Sequence, residues 1–183
     1  MQFIIVGIGG QGILFTSRIL GKLAISRAQD AIGSEVHGMA QRGGSVISHF
    51  KIGDYKSPLV KTGEADVLIA FDQYEGIRNL TFLKKGGIFV VNVHNNKAFE
   101  NENLNDYIAS KNIICHKLHG YKILDVEMGG RYLFLNVLIM GKACACGING
   151  LEPETVRKAL EELAPPKLLP ENLKVFDLGL KAS

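Results

Sequence analysis

Five apolar or β-forming residues, Gln2-Phe3-Ile4-Ile5-Val6, run straight into Gly7-Ile8-Gly9-Gly10-Gln11-Gly12, and a helical pattern follows from Ile13 to about Arg27. This order constrains the fold more than any other feature of the chain. A continuous apolar run suits a strand buried on both faces. The glycines permit a tight turn and close backbone approach, and the helix that follows presents free N–H groups to an anion. Ile13, Leu20, Leu23 and Ala24 share one side of that helix. Gly7, Gly9 and Gly12 have the spacing of a dinucleotide-binding turn in the correct strand–turn–helix context. Such a turn also calls for an acidic residue about 20 positions on, at the end of the next strand. Asp30 and Glu35 are the candidates, but the strand near residues 30–33 is faint. The same glycines would equally serve to let the first helix pack tightly on the sheet, or to dock a partner chain.

Further apolar segments alternate with helical ones. Residues 45–52 place Val46, Ser48, Phe50 and Ile52 on one face and Ile47, His49 and Lys51 on the other, which predicts an antiparallel or edge strand. Strands are expected at 66–71, 88–93 and 113–115. Helices are expected at 73–83, where Lys84-Lys85-Gly86-Gly87 reads as a stop, and at 102–111, about 131–146, and 153–164. The last begins with Pro153 in its first turn, carries Val156, Leu160 and Leu163 on one face, and ends at Pro165-Pro166. The alternation predicts a three-layer α/β/α fold of Rossmann-like type. Its sheet is mainly parallel or mixed, and the C-terminal third is helical. Residues 1–183 read as a single domain without a repeat or linker.

Composition narrows the function. The formal charge is +3, from 21 basic and 18 acidic residues, and the densest basic cluster is Lys84-Lys85, too little for a nucleic-acid stripe. The most apolar stretch, Tyr132 to Ile148, contains Asn136 and Lys142 and is short for a membrane span; it is expected to be a buried helix. Met1 leads directly into the first strand, so no signal peptide is read. Cys115, Cys144 and Cys146 are odd in number, which points to a reducing, cytoplasmic setting. Cys144-x-Cys146 lies in an apolar helix and reads as packing. His116-x2-His119 lacks the further ligands that a metal site needs.

The second distinctive stretch is Ser34-Glu35-Val36-His37-Gly38-Met39-Ala40-Gln41-Arg42-Gly43-Gly44-Ser45, read as a loop at residues 34–45. Loops between strands of α/β folds are where sites are built. Arg42 offers a planar fork for a carboxylate or phosphate, or for an internal ion pair. His37, with Glu35 two residues earlier, is an acid–base candidate. Gly38, Gly43 and Gly44 allow turns closed to other residues, and Met39, Gln41 and Ser45 complete the set.

Together, Gly-Ile-Gly-Gly-Gln-Gly-Ile at 7–13 and Glu-Val-His-Gly-Met-Ala-Gln-Arg-Gly-Gly-Ser-Val at 35–46 resemble the gamma-type domain of the pyruvate and 2-oxoacid:ferredoxin oxidoreductases. The wording of the second stretch is most similar to the small (beta) subunit of the indolepyruvate branch. Gly63-Glu64-Ala65-Asp66, Lys85-Gly86-Gly87 and Asn136 agree, and the likeness spans essentially the whole chain. The resemblance implies oxidative decarboxylation of a 2-oxoacid to an acyl-coenzyme A by thiamine diphosphate and iron–sulfur clusters, with electrons passing to ferredoxin. The chain has no Gly-Asp-Gly motif and no Cys-x2-Cys-x2-Cys run. The resemblance therefore places thiamine diphosphate and the clusters on a partner subunit, with coenzyme A as a ligand that this chain would share. It implies that Gly7, Gly9, Gly10, Gln11 and Gly12 face the coenzyme, and that residues 35–45 face the partner or the coenzyme path. An isolated chain is expected to be inactive and to pair with itself. A free-standing dinucleotide-binding protein and an interaction domain that never touches substrate are the other readings.

Overall fold

The computed structural model describes residues 1–38 and 43–182. Six strands form one mixed sheet: β1 (Gln2–Ile8), β2 (Ala31–His37), β3 (Ser45–Ile52), β4 (Ala65–Ala70), β5 (Leu83–Asn92) and β6 (Ile114–Leu118). Their order is β2-β3-β1-β4-β5-β6. β1, β4, β5 and β6 run parallel to one another, whereas β3 is antiparallel to both β1 and β2. Seven helices accompany them: α1 (Ile13–Ser26), α2 (Gln73–Arg78), α3 (Glu102–Ser110), α4 (Gly120–Met128), α5 (Leu135–Ala145), α6 (Pro153–Leu163) and α7 (Leu169–Lys181).

The period-2 alternation of the strands divides the interior into two cores. Phe3 and Ile5 of β1, with Val67 and Ile69 of β4, face α1, α4, α5, α6 and α7. Ile4 and Val6, with Leu68 and Ala70, face the opposite layer, in which Leu80, Phe99 and the inner side of α3 pack. The three-layer expectation is met, and the sheet is of the mixed kind. Ile13, Leu20, Leu23 and Ala24 are all buried, as their spacing requires.

Several local expectations are corrected. The segment read as a loop at 34–45 is strand at both ends: β2 continues to His37 and β3 begins at Ser45. β3 is antiparallel, one of the two alternatives read for it, and is an interior strand rather than an edge, with β2 beyond it. The helix expected at 73–83 ends at Arg78; the Asn79 amide side chain donates to the Glu75 carbonyl at 2.8 Å, and a 3-10 turn, Leu80–Phe82, leads into β5. Lys84 to Gly87 therefore lies in the irregular start of a strand rather than at a helix stop. The apolar stretch from Tyr132 opens with an exposed turn, since Tyr132 and Leu133 face solvent, and is buried from Phe134 to Cys144 apart from Lys142. α4 and α7 arise where no individual helix was expected. Pro170 sits in the first turn of α7, where its missing N–H costs nothing. Gly179 is where α7 crosses α5: a Cβ there would overlap the Leu138 carbonyl oxygen, and one on Gly141 would overlap that of Phe176. No helix of the described residues is long and apolar enough to cross a membrane.

Candidate functional site

β1 leads into α1 on one face of the sheet, and β4 leads into α2 on the other. Their connecting loops diverge and leave a crevice at the carboxyl ends of the two strands, the usual place for a ligand in an open α/β sheet. The first glycine loop forms one wall. Gly7 leaves room for the Gln11 side chain to fold back, since a Cβ there would lie 2.6 Å from Gln11 Oε1. Gln11 Oε1 accepts the Ile8 N–H at 2.7 Å, and its Nε2 donates to the Tyr121 hydroxyl at 3.0 Å. Gly12 has φ +83°, and a Cβ on it would run into Asn136 Nδ2. Asn136 is buried on α5 with its Oδ1 unpaired.

The second glycine stretch arrives at the same place. The Gly9 N–H donates to the Gly44 carbonyl at 2.9 Å, and Gly38 N–H to the Ser45 carbonyl at 2.7 Å. The Ser45 hydroxyl donates to Glu75 Oε2 at 2.6 Å, and Glu75 is paired with Arg78 at 2.8 Å. The hairpin is thereby tied to both the glycine loop before α1 and to α2. Gly9, Gly10, Gly12 and His37 join Arg18 of α1 around a cleft of about 430 Å3. The first turn of α1 has no side-chain cap, so its N–H groups remain available to an anion, beside the Arg18 guanidinium and the His37 imidazole. Glu35 stands apart, exposed in the middle of β2. Met39, Gln41 and Arg42 lie outside the described residues.

On the other side of Gly10 a second cleft, about 680 Å3, is lined by Gln11, Tyr121, Tyr132, Leu133 and Leu135. Its wall continues as a row of rings: Tyr132 on Tyr121 at 5.0 Å, Tyr121 by His94 at 6.2 Å, and His94 on Tyr74 at 5.6 Å. His94 Nε2 stands 3.3 Å from Asp72 Oδ2, while Asp72 Oδ1 caps α2 by accepting the N–H groups of Tyr74 and Glu75. Burial pushes the Tyr121 phenol above its usual range, and the hydrogen bond to Asp125 does the same for Tyr132. Buried amides hold this wall together. Asn92 Nδ2 donates to the Phe71 carbonyl at 3.1 Å, and its Oδ1 accepts the Gly120 N–H at 2.9 Å. None of these aromatic residues stands out in the sequence. They are scattered from position 74 to 132 and become neighbours only when α2, β5 and α4 meet at one edge.

The dinucleotide arrangement is not realised. β3 lies between β1 and β2, so the strand beside β1 is not the one carrying Asp30 or Glu35, and Asp30 sits at the opposite end of the sheet from the glycine loop. The cysteines make poor metal ligands. Burial pushes the Cys115 thiol to about 11 and the Cys144 thiol to about 12, so both stay protonated at neutral pH. Among the described residues no three His, Cys, Asp or Glu side chains are gathered in a way that would hold a metal ion.

Residues 2–182 match the family described as pyruvate ferredoxin/flavodoxin oxidoreductase. The chain is 33% identical to indolepyruvate oxidoreductase subunit IorB of Pyrococcus horikoshii, over 100% of this chain and 95% of that one. It is 30% identical to the protein of the same name from Methanothermobacter thermautotrophicus, over 98% and 95%. Among solved structures, the gamma subunit of a keto/oxoacid ferredoxin oxidoreductase from Geobacter sulfurreducens shares the fold with a TM-score of 0.74 at 24% identity, covering 98% of this chain and 96% of that one. A 2-oxoglutarate:ferredoxin oxidoreductase from Magnetococcus marinus, solved with 2-oxoglutarate, coenzyme A and succinyl-CoA, aligns with a TM-score of 0.76 at 18% identity; 98% of this chain matches 30% of that one. A match over nearly the full length places the chain in the pyruvate ferredoxin/flavodoxin oxidoreductase family.

Proposed function

We propose that this chain is the small, gamma-type subunit of a 2-oxoacid:ferredoxin oxidoreductase whose substrate is an aryl-pyruvate of the indolepyruvate kind. Residues 1–183 act as one domain of that cytoplasmic enzyme. Thiamine diphosphate and the iron–sulfur clusters reside on a larger partner subunit, which passes electrons to ferredoxin. This subunit supplies binding surface and orientation, since the chemistry belongs to the cofactors. Four relatives at 30% identity or above bear the indolepyruvate name, which supports that substrate class.

One observation carries the role of the site: both glycine stretches meet at the uncapped first turn of α1, beside Arg18 and His37. Helix N–H groups and a guanidinium in one cleft suit the phosphates of coenzyme A. The aromatic cleft on the far side of Gly10 suits a flat or apolar group attached to them. Gly7, Gly9, Gly10, Gln11 and Gly12 form the coenzyme-facing loop. Residues 35–45, including Met39, Gln41 and Arg42, face the partner or the coenzyme path. Without its partner, the chain associates with itself.

The test is reconstitution. The purified chain is expected to be colourless and to reduce no dye with any 2-oxoacid. Mixed with its thiamine-bearing partner, it should give coenzyme A-dependent dye reduction that is faster with indolepyruvate than with pyruvate or 2-oxoglutarate. Arg18→Gln should raise the KM for coenzyme A and leave assembly intact, and Arg42→Lys should lower turnover or assembly with little change in subunit melting. Dye reduction by the pure chain alone would refute the subunit reading. A preference for an aliphatic 2-oxoacid would refute the aryl assignment.

A further inference from the structure

β2 ends the sheet, and of the devices that usually protect an edge strand it carries only the single charge of Glu35. Ala31-Ile32-Gly33-Ser34-Glu35-Val36-His37 contains no lysine, arginine or proline, and its register with β3 runs without a bulge from Ala31–Ile52 to His37–Val46. Five of its seven residues are exposed, including the β-branched Val36. The opposite edge, β6, is shorter and carries Lys117.

The hydrogen-bond phase of the edge can be read directly. Gly38 N–H donates to the Ser45 carbonyl and Gly53 N–H to the Asp30 carbonyl. In an antiparallel ladder, bonded and non-bonded pairs alternate. Ile32, Ser34 and Val36 therefore turn their backbone groups toward β3, and Ala31, Gly33, Glu35 and His37 turn theirs outward. Two copies of β2 related by a two-fold axis through Ser34 bring Gly33 opposite Glu35 of the second copy, and Ala31 opposite His37. All four are outward-facing residues, so every free N–H and C=O of the strand finds a partner. The side chains also fit. Ile32 meets Val36 across the axis on one face, and on the other each Glu35 faces a glycine, with no like charges opposed. Moving the axis one residue toward His37 would set Glu35 against Glu35, and moving it the other way would leave the strand end unpaired.

We infer that the free edge of β2 is the contact between two copies of this chain, joined antiparallel about Ser34 into one continuous twelve-stranded sheet. The inference rests on the self-association proposed above and gives it a location and a register. The occupant is a second copy because the strand complements itself in hydrogen-bond phase, apolar stripe and charge at one register, as a two-fold interface requires.

Two kinds of variant test it, with light scattering on the purified full chain. Across the axis, Ser34 and its copy form a non-bonded pair whose Cβ atoms approach to about 4.5–5.5 Å. Ser34→Cys should therefore give, on mild oxidation, a covalent dimer whose digest contains a disulfide linking position 34 of one copy to position 34 of the other. Val36→Cys, displaced along the strand from its own copy, should give none. Glu35→Pro removes only an outward N–H, which an edge strand tolerates. It should yield a monomer with near wild-type melting where the wild type is dimeric. A wild-type chain that is monomeric up to its solubility limit would overturn both self-association and this location. A dimer that survives Glu35→Pro, or whose Ser34→Cys form makes no bridge between copies, would keep self-association and overturn the β2 contact.

Discussion

The Gly9 amide donates to the Gly44 carbonyl at 2.9 Å, so two segments far apart in the chain form one rigid rim around the first turn of α1. The glycines of that rim are not equivalent. A Cβ on Gly9 would touch only the Gly44 carbonyl, at an ordinary 3.6 Å. One on Gly12 would drive into Asn136 while holding a left-handed backbone. Gly12→Ala should cost about 1–3 kcal/mol in denaturant unfolding, and Gly9→Ala should cost less than about 1 kcal/mol. Adding Asn136→Ala to Gly12→Ala should recover part of the loss. Full additivity in that double-mutant cycle would show that the two residues do not press on each other.

Gln11 separates loop architecture from ligand binding. Its Oε1 accepts the Ile8 N–H, an interaction that a carboxylate oxygen keeps. The Tyr121 hydroxyl can rotate from acceptor to donor. Gln11→Glu should therefore fold with a nearly unchanged Tm, while its negative charge weakens coenzyme A binding in calorimetric titration, more so at low ionic strength. Unchanged affinity would place the coenzyme elsewhere.

The crossing of α5 and α7 leaves no slack between the helices. Gly141 and Gly179 face each other there, with no space for a methyl group on either. Gly141→Ala is expected to be destabilising by about 3 kcal/mol, despite the better helix propensity of alanine. Equilibrium denaturation checks the sign. A stabilised variant would mean that the helices part at no cost.

Acid should loosen the sheet through His49. Its Nδ1 accepts the Val60 N–H at 3.1 Å inside the protein, and burial, with Lys51 nearby, holds its pKa below the usual histidine range. A depressed folded-state value means the native protein resists protonation that the unfolded chain accepts. Stability is therefore complete above about pH 6.5, the unfolded value, and falls as the pH drops from there toward the folded value. His116, also lowered by burial, adds in the same direction. The Tm should decline between about pH 7.5 and 5.5. His49→Gln, which keeps an acceptor but cannot charge, should flatten part of the slope, and His116→Gln a further part. An undiminished slope in both would assign the acid sensitivity to other groups.

The elements read correctly from the sequence are those whose burial is either continuous or periodic. β1 and β4 are buried on both faces and read as unbroken apolar runs, while α1 and α6 keep one apolar stripe. β2 leaves a faint signal because it is exposed along most of its length, so Gly33, Ser34 and Glu35 carry no alternation. α7 is masked by Pro170 and Gly179, one a helix start and the other a packing contact, both of which look like breakers in isolation. At the site, the two glycine stretches are legible because glycine at a fixed spacing is a local signal. The row from Tyr74 through His94 and Tyr121 to Tyr132 is not, because only the tertiary fold gathers it.

One core spans the chain from Phe3 near its start to Phe176 near its end. Ribosomal synthesis releases these partners far apart in time. The face of β1 that carries Phe3 and Ile5 emerges first, yet α5, which packs on the helical side of the sheet, and α7, which packs on α5, emerge much later. The nascent chain must therefore carry an open apolar sheet face until α5 has followed α1, and α7 then packs on α5, a long-range closure that is slow and prone to wrong contacts. Losing α7 to an early stop would thus uncover α5 and remove Val175 and Phe176 from the core, so this thirteen-residue helix is the outer cover that completes it.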